Sequence, residues 1–373
     1  MNEPVDKQQK IEDFNKKMLM PYEFKVDYAR IRALEFRDEC EKIGLNYYVS
    51  VGGLDSTTLL LFLRSIGIDC PAVSVSLLED ASIQKIHKQL GVISLKPSVR
   101  YVDEKGIPHR WTKQEILQEY GFPVISKQVA RGIEVLANPT KRNETLRHSL
   151  LTGETGLGKS ISKRMRLSQK WLELFAGYAN EYAGTNYKTP PFKISDKCCY
   201  YLKEKPCDDW AKEHNSAVYM GLMASEGGRR AIALKQNGCN YFGKSTWRSA
   251  PFAIFQRQDL LQLALDLNVP VPEVYGTIER KEDGTLYTTK AQRTGCGMCG
   301  FGIHLNQRPH RFDLLKQRNP RAWQYWMYEC CTDENGEKYG WARVLDYIGV
   351  DYLDDEEKTI CPNAKQKLLF KEE

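Results

Sequence analysis

The stretch NYYVSVGGLDSTTLLLFL, residues 46–63, decides the fold of this chain. An apolar run over residues 47–51 meets two glycines, an aspartate and three hydroxyl residues, and a second apolar run follows at once. This arrangement predicts a buried strand that turns directly into a helix. Glycines let the backbone approach a ligand closely, and the free N–H groups of a helix N-terminus favour negative charge. The stretch therefore predicts a phosphate-binding loop.

Six residues at this turn are candidate nucleotide ligands. The glycines give access to the backbone, the hydroxyl side chains add donors, and the aspartate suits an N-cap that could also help to hold a cation. The alternative is a capped turn without a ligand, but a turn needs one glycine rather than two glycines and three hydroxyls. The candidates are Ser50, Gly52, Gly53, Asp55, Ser56 and Thr57.

The segments on either side of the loop predict the fold class. Residues 26–43 have apolar positions at helical spacing, residues 70–78 form a second apolar run, and residues 81–91 have the pattern of a second crossover helix. Alternating strands and helices indicate a parallel sheet covered by helices, with the strand C-termini on one edge. We therefore expect an α/β fold with a Rossmann-like, doubly wound parallel sheet.

Composition excludes several classes of protein. The chain has 373 residues, of which 42% are hydrophobic and 27% charged, as in globular proteins. No apolar run reaches the length of a membrane span, and the polar N-terminus lacks the apolar core of a signal peptide, so we expect a cytoplasmic protein without a membrane partner. The net charge of +6 is compatible with a nucleic-acid partner without requiring one.

Three parts are expected along the chain: a flexible lead over residues 1–21, a nucleotide-binding α/β domain over 22–275, and a C-terminal segment over 276–373 with an aromatic helix. Residues 127–190 are basic and hydroxyl-rich, which indicates a helical or irregular insertion. Within it, GETGLGKS (153–160) fits the Walker A pattern, but no buried strand precedes it, so a basic loop is favoured over a second ATP site. Side chains that could meet a phosphate backbone there are Lys159, Lys163, Arg164, Arg166, Lys170 and Trp171.

Cysteine usage predicts a metal centre. Eleven cysteines without a secretion signal point to metal or redox chemistry. Cys198 and Cys199 are adjacent, and Cys296 and Cys299 form a CxxC pair, so four thiolates suit either zinc or an iron–sulfur cluster. An adjacent pair is awkward on one tetrahedral ion, which favours a 4Fe–4S cluster, with zinc and unrelated structural cysteines as alternatives. Another adjacent pair, beside an aromatic helix, is predicted to pack: Cys330 and Cys331.

An arginine pair is a further candidate for anion binding. Arg229 and Arg230 occur in SEGGRRA, directly after the apolar run VYMGLMA, which we expect to be a later strand of the same sheet. Arginine binds phosphate or sulfate in a bidentate manner. A solvated helix start is the alternative.

Several of these motifs resemble those of one family. GGLDST resembles the SGGxDS pyrophosphate loop of the N-type ATP pyrophosphatases, the adenine nucleotide alpha-hydrolase-like superfamily. FKISDKCCYYLKEKP, MASEGGRRAIALKQNGCN and RTGCGMCGFGIHL resemble successive motifs of its PAPS reductase-like branch, over roughly residues 22–350. The CC…CxxC order is similar to that of APS reductases, which bind a 4Fe–4S cluster through those cysteines. Val51 departs from the pattern, because the family has serine there.

The resemblance implies ATP with Mg²⁺ as cofactor and an arginine loop at the anionic end of the nucleotide. Sulfonucleotide reductases carry a catalytic cysteine in a C-terminal E-C-G-[IL]-H motif and lack GGxDS, whereas here GGxDS is nearly intact and Cys361 lacks that context. We therefore predict an ATP-pyrophosphatase-type iron–sulfur enzyme that adenylates an acceptor and transfers sulfur to it. A nucleic acid is a possible acceptor and a sulfur-donor protein a possible partner. The alternatives are an APS/PAPS reductase and an inactive adenine-nucleotide-binding phage or defence factor.

Overall fold

The computed structural model describes residues 7–155, 160–161 and 166–353. The described residues fall into two compact units, each built from two stretches of chain: unit 1 from Met1–Ser98 and Leu202–Gly297, and unit 2 from Val99–Tyr201 and Met298–Glu373. These boundaries differ from the division at residues 21 and 275 expected from the sequence. Four of the residues discussed above lie outside the described ranges: Lys159, Lys163, Arg164 and Cys361.

The first half of the chain alternates short strands with helices. A helix already occupies part of the segment expected to be a flexible lead. The elements are α1 (Lys7–Met18), α2 (Tyr22–Lys42), β1 (Asn46–Ser50), α3 (Leu54–Ser65), β2 (Ala72–Ser74), α4 (Ala81–Gln89), β3 (Ile93–Ser94), β4 (Val99–Val102), β5 (Pro108–Arg110), α5 (Lys113–Tyr120), β6 (Val124–Ile125), α6 (Lys127–Ala137), α7 (Glu144–Thr152), β7 (Glu154–Thr155), β8 (Ser160–Ile161), α8 (Gln169–Phe175), α9 (Asn180–Ala183) and α10 (Lys197–Cys199).

The second half begins with a π-helical turn, Tyr200–Glu204, and continues in the same style. Its hairpin and its aromatic helix confirm two expectations from the sequence. The elements are α11 (Lys205–Glu213), β9 (Ser216–Met220), α12 (Gly228–Asn237), β10 (Asn240–Phe242), β11 (Trp247–Ser249), α13 (Arg257–Asp266), β12 (Ile278–Arg280), β13 (Leu286–Thr288), β14 (Gly300–Phe301), α14 (Arg311–Arg318), α15 (Pro320–Tyr328), β15 (Cys331–Thr332), β16 (Lys338–Tyr339) and α16 (Trp341–Ile348).

Unit 1 contains the predicted sheet. Its six strands lie in the order β10–β11–β9–β1–β2–β3, and every neighbouring pair is parallel except β10–β11. From β1 the chain crosses through α3 to β2 and through α4 to β3, while β9 and β11 lie on the other side of β1. Winding in both directions from the first strand is the topology of a doubly wound sheet. The α/β fold expected from the sequence is therefore confirmed.

The sheet of unit 1 is held by an apolar core on which α2 and α3 pack. α3 contributes Leu59, Leu60 and Leu63, all fully buried, against β1 residues such as Val49. A parallel strand between helices is buried on both faces, which explains the continuous apolar run of residues 47–51. Among the described residues, none of the helices is both long and apolar enough to cross a membrane.

Residues 127–190, expected to be a helical or irregular insertion, contain the helices α6 to α9 and belong to unit 2. Ile133 and Leu136 on α6 and Phe175 on α8 lie in one buried cluster with Trp323 on α15 and Trp341 on α16. The pattern QVARGIEVLA gives α6 an apolar face, so this helix belongs to a core rather than to a solvated loop. The described part of the insertion is therefore integral to unit 2.

Candidate nucleotide-binding site

The GGLDST turn lies at the switch point of the sheet. β1 has β2 on one side and β9 on the other, and Ser50 at its end pairs with Met220 at the end of β9. Gly221 follows β9 and passes so close to α3 that a Cβ there would lie 3.0 Å from the Cα of Ser56. Ligands of doubly wound sheets bind outside the strand C-termini at such a point. The sheet therefore places the predicted loop where a ligand is expected.

The two glycines of the loop meet different surroundings. A Cβ at Gly53 would overlap the hydroxyl of Tyr275 and lie 3.1 Å from Oγ1 of Thr294, whereas a Cβ at Gly52 would make only ordinary contacts with Glu79 and Ser56. Glycine is therefore required at position 53 by a neighbouring tyrosine as well as by any ligand.

The three hydroxyl side chains organise the loop itself. Ser56 Oγ accepts the N–H of Gly52 at 2.7 Å and donates to the carbonyl of Gly53 at 3.1 Å. Thr57 is buried and donates to the same carbonyl, and Thr58 donates to the carbonyl of Leu54. These bonds to carbonyls three or four residues earlier are typical of hydroxyls inside a helix. The groups left for an anion are thus mainly the unpaired N–H groups of the first turn of α3.

Asp55 is not an N-cap, in contrast to the expectation from the sequence. α3 begins at Leu54 with Gly53 as its N-cap, so Asp55 lies in the first turn. Its Oδ1 accepts from Nη1 of Arg257 at 2.5 Å, and Arg257 also donates to the carbonyl of Gln292 at 3.1 Å. Burial raises the pKa of Asp55, and the charge of Arg257 opposes that rise. A cation at this carboxylate would compete with Arg257.

The arginine motif after β9 is tied to Glu226. Arg230 Nη1 lies 2.7 Å from Oε2 of Glu226, and Arg293 Nη2 lies 3.8 Å from Oε1. Both guanidinium groups are largely exposed, whereas Glu226 is buried. Arg229 lies in the first turn of α12, and its side chain is outside what the structure describes. The exposed guanidinium groups of Arg230 and Arg293 remain open to a solvent-borne anion.

A buried histidine fixes the back of the loop. His87 Nε2 lies 2.8 Å from the carbonyl of Gly52, and Nδ1 lies 2.9 Å from Oγ of Ser76. Because a carbonyl can only accept, Nε2 carries the proton and Nδ1 accepts from the serine hydroxyl. Burial lowers the pKa of His87, which keeps the ring neutral. His87 therefore holds the Gly52 peptide in one orientation.

A lysine, a glutamate and a cysteine meet beside Gly52. Lys203 Nζ lies 2.5 Å from Oε1 of Glu79, the same oxygen that a Cβ at Gly52 would approach at 3.7 Å. Burial opposes the charge of Lys203, but interactions with Cys296 and Glu79 more than compensate and raise its pKa. An ammonium group is thus held at the loop, in contact with a thiol of the CxxC motif.

The site also contains residues that the sequence motifs did not single out: Glu79, His87, Lys203, Gly221, Arg257, Tyr275, Arg293 and Thr294. Four of them lie inside quoted stretches: Lys203 in CCYYLKEKP, Gly221 in VYMGLMA, and Arg293 and Thr294 in RTGCGMC. The other four follow from no local pattern.

The four predicted cluster ligands are divided between the two units. Cys296 is in unit 1, while Cys198, Cys199 and Cys299 are in unit 2. Cys198 is buried, and the other three are partly exposed. Over the described ranges, no group of three or more His, Cys, Asp or Glu side chains is positioned to hold a metal ion. Cys330 and Cys331 are buried in the core of unit 2, which confirms their predicted packing role.

Comparison with solved structures gives a similarity to a reductase of known structure. No protein-family model and no curated protein matches the chain. Among solved structures, the chain is similar to phosphoadenylyl-sulfate (PAPS) reductase from Candida auris, crystallised as a phosphate complex. The identity is 10%, the match covers 76% of this chain and 100% of that one, and the TM-score is 0.32. A TM-score this low does not establish a shared fold, so the α/β assignment depends on the strand order and register described above.

Proposed function

We propose that unit 1 binds an adenine nucleotide through its phosphates at the Gly52–Ser56 loop and cleaves ATP between the α and β phosphates. The observation that carries the proposal is the position of this loop: two glycines and the free N–H groups of the first turn of α3 lie at the switch point of the sheet. In this reaction, pyrophosphate is the leaving group and the acceptor becomes adenylated.

The charges around the loop support a phosphate ligand. Lys203 is held beside Gly52, and the exposed guanidinium groups of Arg230 and Arg293 stand over the buried carboxylate of Glu226. Preorganised donors of this kind stabilise negative charge that develops on a leaving pyrophosphate. Mg²⁺ bound with ATP would neutralise further charge. The negative charge of Glu226 contributes to the raised pKa of Asp55, so the charges of these two carboxylates interact.

The enzymatic test follows the adenylate. Purified protein incubated with α-labelled ATP and Mg²⁺ is expected to release labelled AMP or to label an acceptor, with pyrophosphate as the second product. Asp55→Ala and Ser56→Ala should each weaken ATP binding, because Asp55 holds Arg257 and the Ser56 hydroxyl holds the N–H of Gly52, and both bonds shape the loop. Lys159→Ala, in the Walker-like segment, is the matched control and should bind ATP as the wild type does. Loss of binding in Lys159→Ala alone would place the nucleotide at the other loop.

The second part of the proposal is an iron–sulfur cluster on Cys198, Cys199, Cys296 and Cys299. Thiolates are the usual ligands of such clusters, which supply electron transfer or sulfur chemistry. No step of the nucleotide reaction is assigned to the cluster, because the described residues contain no group of three or more potential metal ligands in place. Sulfur transfer to the adenylated acceptor, with a nucleic acid as acceptor and a sulfur-donor protein as partner, rests on this part of the proposal.

Iron content tests the cluster directly. Protein prepared without oxygen is expected to be brown, and Cys→Ala at any of the four positions should lower bound iron and sulfide. Cys330→Ala is the matched control, because Cys330 also has a cysteine next to it in the sequence but is buried. Colourless protein with about one zinc per chain would replace the cluster by zinc.

One observation favours a second candidate, a nucleotide-binding protein without hydrolysis. The hydroxyls of Ser56, Thr57 and Thr58 are bonded back to the loop and helix, so fewer donors remain for a transition state. Binding of ATP without release of AMP would support it. Sulfite release from APS or PAPS in the presence of a dithiol would instead support the sulfonucleotide reductase alternative.

A further inference from the structure

Tyr275 closes the mouth of the GGLDST turn. It ends a short 3-10 helix, Glu273–Tyr275, and is 3% exposed. Its Oη accepts the N–H of Leu54 at 3.2 Å and lies 2.7 Å from Oγ1 of Thr294. The N–H of Leu54, the first of α3, is thus already bonded to a hydroxyl of the chain.

The tyrosine is held firmly in this place. Its carbonyl accepts from the N–H of Lys290 at 3.0 Å, and the preceding residue, Val274, donates its N–H to Oγ of Ser82 at 3.1 Å. Thr294 occupies the segment that leads to Cys296. The hydroxyl pair therefore belongs to a fixed wall of the loop rather than to a mobile side chain.

The two hydroxyl groups at this wall of the loop have one more proton than the bond between them uses. Tyr275 and Thr294 have one hydroxyl proton each, and the bond between them uses only one of the two. Neither hydroxyl has another acceptor among the described residues, and the N–H of Leu54 adds a donor rather than an acceptor. Tyr275 is buried and Thr294 is half-buried, so the second hydroxyl proton at the loop mouth is available to an acceptor from outside.

We propose that Tyr275 is a positioning residue that donates its hydroxyl proton to the anionic ligand of the GGLDST turn. Thr294 donates to Tyr275 and so directs the phenol proton towards the ligand. The pair supplies the hydroxyl donor that the apolar side chain of Val51 cannot provide at the end of β1. This inference rests on the proposed phosphate site and adds the residues that complete it.

The protonation state of Tyr275 agrees with this role. Burial raises its pKa, so the phenol keeps its proton at neutral pH and can act as a donor. A phosphate oxygen that accepts from both the phenol and the N–H groups of α3 would be held from two sides, which fixes the anion in place.

Equilibrium binding of pyrophosphate to the full chain tests the inference. Tyr275→Phe should weaken binding about 10- to 100-fold, because a hydrogen bond to a charged group is lost. Thr294→Val should weaken it less, and Thr294→Ser should bind as the wild type does. Tyr287→Phe, at a half-buried tyrosine of the neighbouring hairpin that is bonded to Glu279, is the matched control and should have no effect.

The outcomes separate this inference from the proposed function. If the wild type binds neither pyrophosphate nor ATP, the phosphate site itself is wrong. If the wild type binds and Tyr275→Phe binds equally well with a lower melting temperature, Tyr275 only caps α3 and the inference is overturned. Tighter binding by Tyr275→Phe would overturn it as well, since the hydroxyl would then compete with the ligand. If Tyr275→Phe fails to fold, unchanged pyrophosphate affinity in Thr294→Val and in Thr294→Ser overturns it.

Discussion

Two ion pairs in unit 1 each join a lysine to a carboxylate, but the two pairs differ in their surroundings. Lys25 on α2 reaches Asp259 on α13 at 2.7 Å, and its side chain is only 5% exposed. Lys203 reaches Glu79 at 2.5 Å, and its side chain is 34% exposed. Asp259 also accepts the N–H of Gln256 and so completes the start of α13, whereas the Lys203 pair lies beside Gly52 and Cys296.

We propose that the difference separates a structural pair from a ligand-binding one. The Lys25–Asp259 pair joins two helices and is shielded from solvent. The Lys203–Glu79 pair includes a partly exposed lysine side chain beside the proposed phosphate loop. A buried pair that lacks access can only contribute to stability, while an accessible cation at an anion site can also contribute to binding.

The largest effect is expected at the structural pair. Lys25→Met leaves the carboxylate of Asp259 buried without a cation, which should lower the free energy of unfolding by about 3–5 kcal/mol. Urea unfolding measures it. The matched control is Lys16→Met, from an exposed pair with Asp13, which should lower stability by less than about 1 kcal/mol. Equal losses in both variants would mean that Lys25 is not a buried partner.

Lys203→Met tests the functional side of the comparison. It removes a cation from the loop and leaves Glu79 as an unpaired carboxylate beside Gly52, so affinity for pyrophosphate should fall by about 1.5–3 kcal/mol. Titration calorimetry measures it. The folded fraction of Lys25→Met should retain wild-type affinity. The double variant Lys203→Met with Glu79→Gln removes the unpaired charge, and a remaining loss would belong to the cation alone. Wild-type affinity in Lys203→Met would make both pairs structural.

Gly53→Ala sharpens the comparison at the loop itself. Its Cβ would overlap the Tyr275 hydroxyl, so we expect a loss of about 1–3 kcal/mol in stability, as for overpacking. Gly52→Ala meets only ordinary contacts and should change stability by less than about 1 kcal/mol. Adding Tyr275→Phe to Gly53→Ala should recover part of the loss in a double-mutant cycle of melting curves. Equal costs at both glycines would contradict the proposed wall.

The sequence predicted the strand, the loop and the helix because all three depend on local patterns. The apolar run, the glycine pair and the following apolar run correspond to β1, the turn and α3. The environment of each hydroxyl is not a local property in this sense. Thr57, a candidate nucleotide ligand, is buried and donates to the carbonyl of Gly53.

The wall of the site could not be predicted in this way. Tyr275 contacts Leu54 across 221 residues of sequence, and Lys203 contacts Glu79 across 124. No periodicity links positions so far apart, since only the folded sheet brings them together. The packing of residues 127–190 has a related cause: α6 has an apolar face, but its partners come from the C-terminal part of unit 2, far away in the sequence.

The smallest effect is expected from pH, at the histidine that holds the loop on the functional side. Burial lowers the folded pKa of His87 below its ordinary value of about 6.5. The charge of Lys203 lowers this pKa further, whereas the charge of Glu79 opposes the decrease. Below pH 6.5 the unfolded chain therefore binds a proton that folded His87 refuses. The stability from this residue is complete above pH 6.5 and is lost as pH falls towards the folded pKa, by up to about 1.4 kcal/mol per pH unit. Urea unfolding of the wild type and of His87→Gln between about pH 7.5 and about pH 5.5, the range in which histidine titrates, measures it. The wild type should lose its advantage over the variant on acidification, and parallel pH profiles would show that burial does not keep folded His87 neutral.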